Sequence, residues 1–406
     1  MKKMNFAIKL FSLFALMGLL LTISCSKGDE VIMDDGLSAQ QEPSLAGYTS
    51  EPIEGQYIVT FKAGFETKSA ALKDLDYNEK TSLIRSEISN TFSKSGISDA
   101  NIKAVYGFTV NGFAAKLNKD QLSALKNDLR ISRIEQDYMI TLSPITAYKR
   151  PAPEPVGEEV PWGIARVGGG AYTGSSTAWI IDSGIDLDHP DLNVDVTRSA
   201  CFLDRGDADD ENGHGTHVAG TVAALDNEIG VIGVAPGATL VSVRVLDRRG
   251  SGSISGVIAG VDYVGANGAP GDVANMSLGG SVSTTLDEAV FNASTNVKFA
   301  LAAGNESDDA NNHSPARVNG PNIYTVSAMD SSDNWAYFSN YGNPPIDFCA
   351  PGVSIYSTWK DGGYNTISGT SMASPHVCGL LLLGTVGADG TVNGDPDGNP
   401  DPIAHH

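Results

Sequence analysis

Trp179-Ile180-Ile181-Asp182-Ser183-Gly184 is an apolar run that ends on an acid and a turn. Runs that stay apolar, rather than alternating, belong to strands buried on both faces, as in a parallel sheet covered by helices. The same pattern returns at 240–245, 273–276 and 297–303. Helical spacing fills the intervals: 215–225 is one such stretch, and in 254–264 Ile254, Val257, Ile258 and Val261 share one face. Strand and helix alternating in this way predict an α/β fold, a parallel sheet with helices on both faces. In such sheets the chemistry gathers at the carboxyl ends of the strands, which is where Asp182 stands.

Upstream the pattern changes. Residues 55–142 read as a small domain in the order β-α-β-β-α-β, the split βαβ or ferredoxin-like α+β plan. Gln56 to Phe61 is β-rich, and Leu83, Ile84, Ile88 and Phe92 recur at helical spacing. Val110-Asn111-Gly112 marks a turn between two apolar runs. Gln121, Leu122, Leu125 and Leu129 suggest a second helix, and 131–142 a last strand. The segment has no His and no Cys, so by itself it reads as a binding or chaperone module. Charge separates the two regions. Residues 1–149 hold 17 Lys+Arg against 17 Asp+Glu, and residues 150–406 hold 10 against 31, which is the whole net charge of −21. So acidic a second region argues against nucleic acid or an anionic membrane as its partner.

Two further motifs join the Asp182 run. One is Asn212-Gly213-His214-Gly215-Thr216-His217-Val218-Ala219-Gly220; the other is Ser368-Gly369-Thr370-Ser371-Met372-Ala373-Ser374-Pro375-His376-Val377. Each has a plain structural reading: a strand-end Asp as a turn residue, a Ser as a helix cap, His214 and His217 as two ligands on one helix face. The metal reading lacks the Glu of H-E-x-x-H and an obvious third ligand, and His217 reads as a core or hydrogen-bonded residue. Together the three supply an anion, a base and a hydroxyl, the set that nucleophilic acyl transfer requires.

With these boxes the chain resembles the subtilisin-like serine proteases, in particular the proteinase K-type branch, over roughly residues 55–384. The resemblance implies Ser371 as nucleophile, His214 as general base and then acid, and Asp182 as orienter of the imidazole. It places Asn305, at the end of Phe299-Ala300-Leu301-Ala302-Ala303-Gly304-Asn305, in the oxyanion hole with the Ser371 backbone N–H. It makes Ser277, Leu278, Gly279 and Gly280 the strand onto which a peptide adds, with Ala303 and Gly304 completing a neutral pocket for a large apolar P1 side chain. It implies that residues 55–142 are an inhibitory propeptide, and that no cofactor is needed for catalysis. A structural Ca²⁺ is implied at the Pro321 and Ile323 carbonyls and the Asp347 carboxylate, hard oxygen ligands that suit this ion. The catalytic domain spans 151–386, the partners are protein or peptide substrates and the chain's own propeptide, and a monomer is expected. A reading from another class keeps the fold as a catalytically inactive surface lipoprotein; its mark is a missing triad member or oxyanion donor, and all four positions are filled.

The ends carry the remaining signals. Lys2 and Lys3, an apolar run from Leu10 to Ile23 and small residues after it read as a secretory signal over 1–24. Leu21-Thr22-Ile23-Ser24-Cys25 resembles a lipobox, which makes Cys25 the lipidated residue of a surface-anchored protein. Residues 25–54 read as a flexible tether and 143–150 as a processing linker, with Tyr148 the P1 residue of autocleavage. Residues 387–406, rich in Asp, Gly and Pro, read as a solvated acidic tail; the alternating acids 395–401 lack the Gly and Glu of a Ca²⁺ loop. Cys201, Cys349 and Cys378 fall at no assignable disulfide positions, and Cys378 reads as a buried small residue.

Overall fold

The structure is a computed structural model in which residues 48–63, 75–142 and 157–406 are described. The export segment, Cys25, most of the tether and the processing linker with Tyr148 lie outside the described residues. Among the described residues no helix is long and apolar enough to cross a membrane.

The N-terminal domain is built from β1 (Tyr48–Phe61), α1 (Tyr77–Phe92), β2 (Ile102–Tyr106), β3 (Gly112–Lys116), α2 (Lys119–Lys126) and β4 (Ile131–Leu142), in the order expected. Helix α1 starts at a capping box: the Asp76 carboxylate accepts the Glu79 N–H at 2.9 Å and Glu79 reaches back to the Asp76 N–H. Ile84, Ile88 and Phe92 are buried, whereas Leu83 sits on the exposed flank of the helix and Leu129 lies exposed beyond the end of α2. The strands alternate. Val59, Phe113 and Ala115 pack with α1 and α2; Ile58, Ala114 and Ile140 point the other way, into the core of the larger domain. Strand β1 begins at Tyr48, so residues 48–54 are not tether. They pair with β4 from Tyr48 opposite Leu142 to Pro52 opposite Tyr138. The proline that made this segment read as loop borders an irregularity in the ladder, where a missing N–H is tolerated.

The larger domain runs through α3 (Trp162–Val167), β5 (Thr177–Asp182), β6 (Ala200–Cys201), α4 (His214–Ala223), β7 (Thr239–Arg244), β8 (Ser251–Ser253), α5 (Ile254–Asn267), β9 (Val273–Met276), β10 (Gly280–Ser281), α6 (Thr284–Ala293) and β11 (Lys298–Ala302). It continues with β12 (His313–Ser314), β13 (Ile323–Met329), β14 (Ile346–Pro351), β15 (Ile355–Trp359), β16 (Gly363–Ile367), α7 (Thr370–Leu383), β17 (Gly387–Thr391) and β18 (Pro402–His405). Nine strands form one sheet in the order β17-β18-β14-β13-β11-β9-β5-β7-β6. Strand β5 pairs in parallel with β7 on one side and β9 on the other, which makes its end the switch point of the sheet. Along it Ala178 and Ile180 face α4 and α7, and Trp179 and Ile181 face α5 and α6. Each large apolar side chain buried in these two layers contributes about 1.5–3 kcal/mol. That burial, more than local propensity, fixes where the strand ends.

Residues 387–406 are not a solvated tail. Strand β18 adds in parallel to β14, with Ile403 beside Cys349, and β17 pairs back on it antiparallel. Val392 and Ile403 bury against Met329 and Cys349. These few apolar side chains cover the edge of β14 and outweigh the polar composition around them. The Asp401 carboxylate is buried with them, accepting from Ser327 Oγ and from Asn343 Nδ2.

Candidate active site

Strand β5 ends on Asp182, which is fully buried. Its Oδ1 accepts the Ser183 N–H at 2.7 Å and lies 2.7 Å from His214 Nδ1. A carboxylate at that distance places the proton on Nδ1 and leaves Nε2 as the acceptor. His214 is the first residue of α4, and Gly215 brings that helix against the end of β5: a Cβ there would run into the Gly184 carbonyl oxygen. His217 is a core residue, with Nε2 at 3.0 Å from the Ile355 carbonyl, and burial pushes its imidazole down to about 3. Cys349 and Cys378 are buried thiols, and Cys201 is a half-buried one.

Ser371 lies in the first turn of α7, which packs against α4. Its Oγ donates to the Ser277 carbonyl at 3.1 Å, and Ser277 Oγ donates to the Ser371 carbonyl at 2.8 Å. Ser371 is thereby tied to the start of the 277–280 segment. Asn305 follows β11. Its Oδ1 accepts from the Thr370 N–H at 2.8 Å and from Thr370 Oγ1 at 3.0 Å, while Thr370 Oγ1 accepts the Gly304 N–H at 3.1 Å. The amide is thus oriented by Thr370, a residue that the sequence shows only as a neighbour of Ser371.

Leu278 is buried, and Gly280 opens β10, which pairs with β12. Ser50 and Ile140 of the N-terminal domain press on Gly280, and Ser50 Oγ accepts the Ser281 N–H at 3.0 Å. Ala303 belongs to a small apolar cluster with Ala310, Ala316 and Ile346. Gly304 has φ +105° and is closed in by Asn340 and by Glu306, whose carboxylate accepts from Asn340 Nδ2 at 2.7 Å. A charged group therefore stands beside a segment that reads as neutral. Ile323 opens β13 and Asp347 lies near the start of the adjacent β14, its Oδ2 accepting the Thr325 N–H at 2.9 Å; Pro321 is in the turn before β13.

The N-terminal domain docks through carboxylates. Asp137 accepts the Ser255 N–H at 3.1 Å in the first turn of α5; Glu135 accepts Ser283 Oγ at 2.9 Å and the Thr285 N–H at 3.1 Å at the start of α6. In the other direction Asp262 of α5 accepts the N–H groups of Gly107, Phe108 and Thr109 at 3.1, 2.9 and 2.7 Å. Strand β8 joins the N-terminal sheet beside β4.

Residues 178–386 match the Subtilase family, peptidase S8, and residues 56–143 match the peptidase inhibitor I9 family. The chain is 43% identical over 302 residues to alkaline serine exoprotease A of Vibrio alginolyticus, across 71% of this chain and 54% of that protein, or about half its length. It is 38% identical over 388 residues to the extracellular serine proteinase of a Thermus species, across 91% of this chain and 88% of that protein. The crystal structure of a cold-adapted subtilisin-like serine proteinase is 41% identical, with a TM-score of 0.53, over 60% of this chain and 97% of that chain. An acid at the switch point, an imidazole bound to it and a serine at a helix N-terminus agree with these likenesses: the chain belongs to the subtilase family of serine endopeptidases and carries an I9 inhibitor domain ahead of its catalytic domain.

Proposed function

We propose that the chain is an exported, self-processing endopeptidase zymogen in which Ser371 is the nucleophile, His214 the general base and then acid, Asp182 the orienter and Asn305 an oxyanion donor. The observation that carries this reading is the fully buried 2.7 Å contact of Asp182 Oδ1 with His214 Nδ1. With Nδ1–H held by the carboxylate, Nε2 takes the Ser371 proton as Oγ attacks the peptide carbonyl, then returns it to the leaving amine. Asp182 holds the Nδ1 proton and offsets the charge of the imidazolium. Thr370 engages the Asn305 oxygen, which supports the Nδ2 end of that amide, with the Ser371 N–H, as donor to the developing oxyanion. The substrate adds as a strand along Ser277–Gly280, where Gly279 and Gly280 present bare main chain. Specificity is broad and favours large apolar P1 residues.

Autocleavage falls between Leu142 and Arg150, with Tyr148 as P1, and the freed domain goes on occupying the substrate strand. The basic and apolar N-terminal pattern supports export, and the Thermus relative is named extracellular. Lipidation at Cys25 would tether the protein to a membrane. A structural Ca²⁺ would be held by the carbonyls of Pro321 and Ile323 and the carboxylate of Asp347, hard oxygen donors carried by β13, the turn before it and the adjacent β14. Bound there, the ion would tie β13 to β14 without touching the reaction.

A fluorophosphonate probe tests the reading. The wild-type chain should take one label on Ser371 and mature. Ser371→Ala should take none and remain an uncut precursor on gels. Labelling of that variant, or its maturation without added protease, would sink the assignment.

A further inference from the structure

Asp210, in the loop ahead of α4, is buried, and its carboxylate accepts five hydrogen bonds. Oδ1 receives Ser183 Oγ at 3.0 Å, the Asn212 N–H at 2.8 Å and the Gly213 N–H at 2.9 Å. Oδ2 receives the Thr216 N–H at 3.0 Å and Thr216 Oγ1 at 2.7 Å. These donors come from residues that flank the catalytic pair: Ser183 follows Asp182, and Asn212, Gly213 and Thr216 surround His214. Ser183 Oγ also accepts the Gly215 N–H at 3.0 Å, and Asn212 Oδ1 accepts the His214 N–H at 3.2 Å. One carboxylate thus closes a clamp between the end of β5 and the first turn of α4, and places a negative charge where the helix presents its positive end.

We propose that Asp210 is a positioning residue for the serine-protease reaction, fixing the first turn of α4 and setting the field in which His214 takes up and returns its proton. The inference rests on the family chemistry and needs neither the zymogen nor the specificity reading. The positive end of α4 opposes an imidazolium at its first residue. Asp182 offsets this at Nδ1, and Asp210 offsets it from the helix side. Five donors face Asp210; burial leaves its carboxyl raised, against the pull of the bonds from Thr216, Gly213 and Asn212.

Other titratable groups pack around this turn. His217 and, on α7, His376 are driven neutral by burial, to about 3 and about 4. Asp186 lies across Thr216, its N–H donating to Thr216 Oγ1 at 2.9 Å and its carboxylate accepting the Gly362 N–H at 2.8 Å. Asp209 accepts the Leu187 N–H at 3.1 Å, and Glu211 is paired with Arg244 at 2.7 Å.

The test is the pH profile of kcat/KM on a peptide anilide, with melting curves, for enzyme processed from the full chain. Asp210→Asn keeps the shape and removes the charge. It is expected to move the acid limb down by about one pH unit and to lower kcat roughly tenfold, with KM little changed. Thr216→Val keeps the charge and removes its 2.7 Å hydroxyl donor, so the limb is expected to move the other way, up by a few tenths of a unit. Ser183→Ala opens the clamp and removes a second hydroxyl donor to the same carboxylate, so it is expected to lower kcat and, like Thr216→Val, to move the limb up by a few tenths of a unit. A cap with only a structural role would lower melting temperatures and move no limb. The proposal is overturned if Asp210→Asn leaves the limb where it was, or if Thr216→Val leaves it unmoved or moves it down. Should Asp210→Asn fail to melt cooperatively, the Thr216→Val profile decides alone.

Discussion

At the scale of single residues, the proposed oxyanion donor Asn305 depends on its neighbour Thr370. Asn305→Ala should lower kcat by about 10²–10³, the usual loss for one such donor in enzymes of this kind, with KM nearly unchanged. Thr370→Val should cost about tenfold in kcat, because the Thr370 N–H still holds the Asn305 oxygen while the hydroxyl no longer does. Thr370→Ser should restore it. Steady-state kinetics on one peptide substrate checks all three, and an unchanged kcat in Asn305→Ala would take that residue out of the site. Asp182, His214 and Ser371 were legible in the sequence because each lies in a short box whose glycines and neighbours are local. Thr370 and Asp210 were not, although both stand within a few residues of those boxes. Their roles come from contacts across the fold, Thr370 to Gly304 and Asn305, Asp210 to Ser183, and no spacing in the chain announces them.

At the scale of elements, the first turns of α5 and α6 receive carboxylates from another domain beside their own serine caps. Asp287 in α6 is the sensitive point. Burial, with Glu135 adding to it, pushes its carboxyl up to about 6 against the pull of Ser314 and Arg317. A carboxyl raised by folding contributes stability that is present below its unfolded value and is lost as the pH rises through about 6. Precursor stability should therefore decline over the range from about pH 4 to pH 6 in part through this group. Asp287→Asn should flatten that segment and raise the melting temperature at pH 8 while leaving it unchanged near pH 4. Melting curves of the Ser371→Ala precursor at the two pH values would show it; equal effects at both would clear Asp287 of the role. Most elements were readable from periodicity. The failures share a cause: 48–54 and 387–406 hold Pro, Gly and acids typical of loops, and become strands because β4 and β14 offer an edge to pair with.

At the scale of the molecule, the late strands are part of the sheet. Ile403→Ala removes a fully buried side chain from the cluster with Met329, Cys349 and Val392, and should cost about 2–4 kcal/mol, several degrees of melting temperature. A change below one degree would mean that β18 is dispensable. If the proposed ion is held at Pro321, Ile323 and Asp347, chelation with EDTA should also lower the melting temperature, since the ion would bind the folded state alone; a curve indifferent to EDTA would remove calcium from the account. The pairing of β8 with β4 has a consequence in time. A ribosome delivers this chain from its N-terminal end, and domains fold as they emerge. The six segments of sheet and helix that end at Leu142 are complete before β8 is made, and β8 before Ser371. When the serine leaves the ribosome, the domain that presses on Gly280 is already in place, so in the proposed zymogen each newly made copy would be guarded from the start.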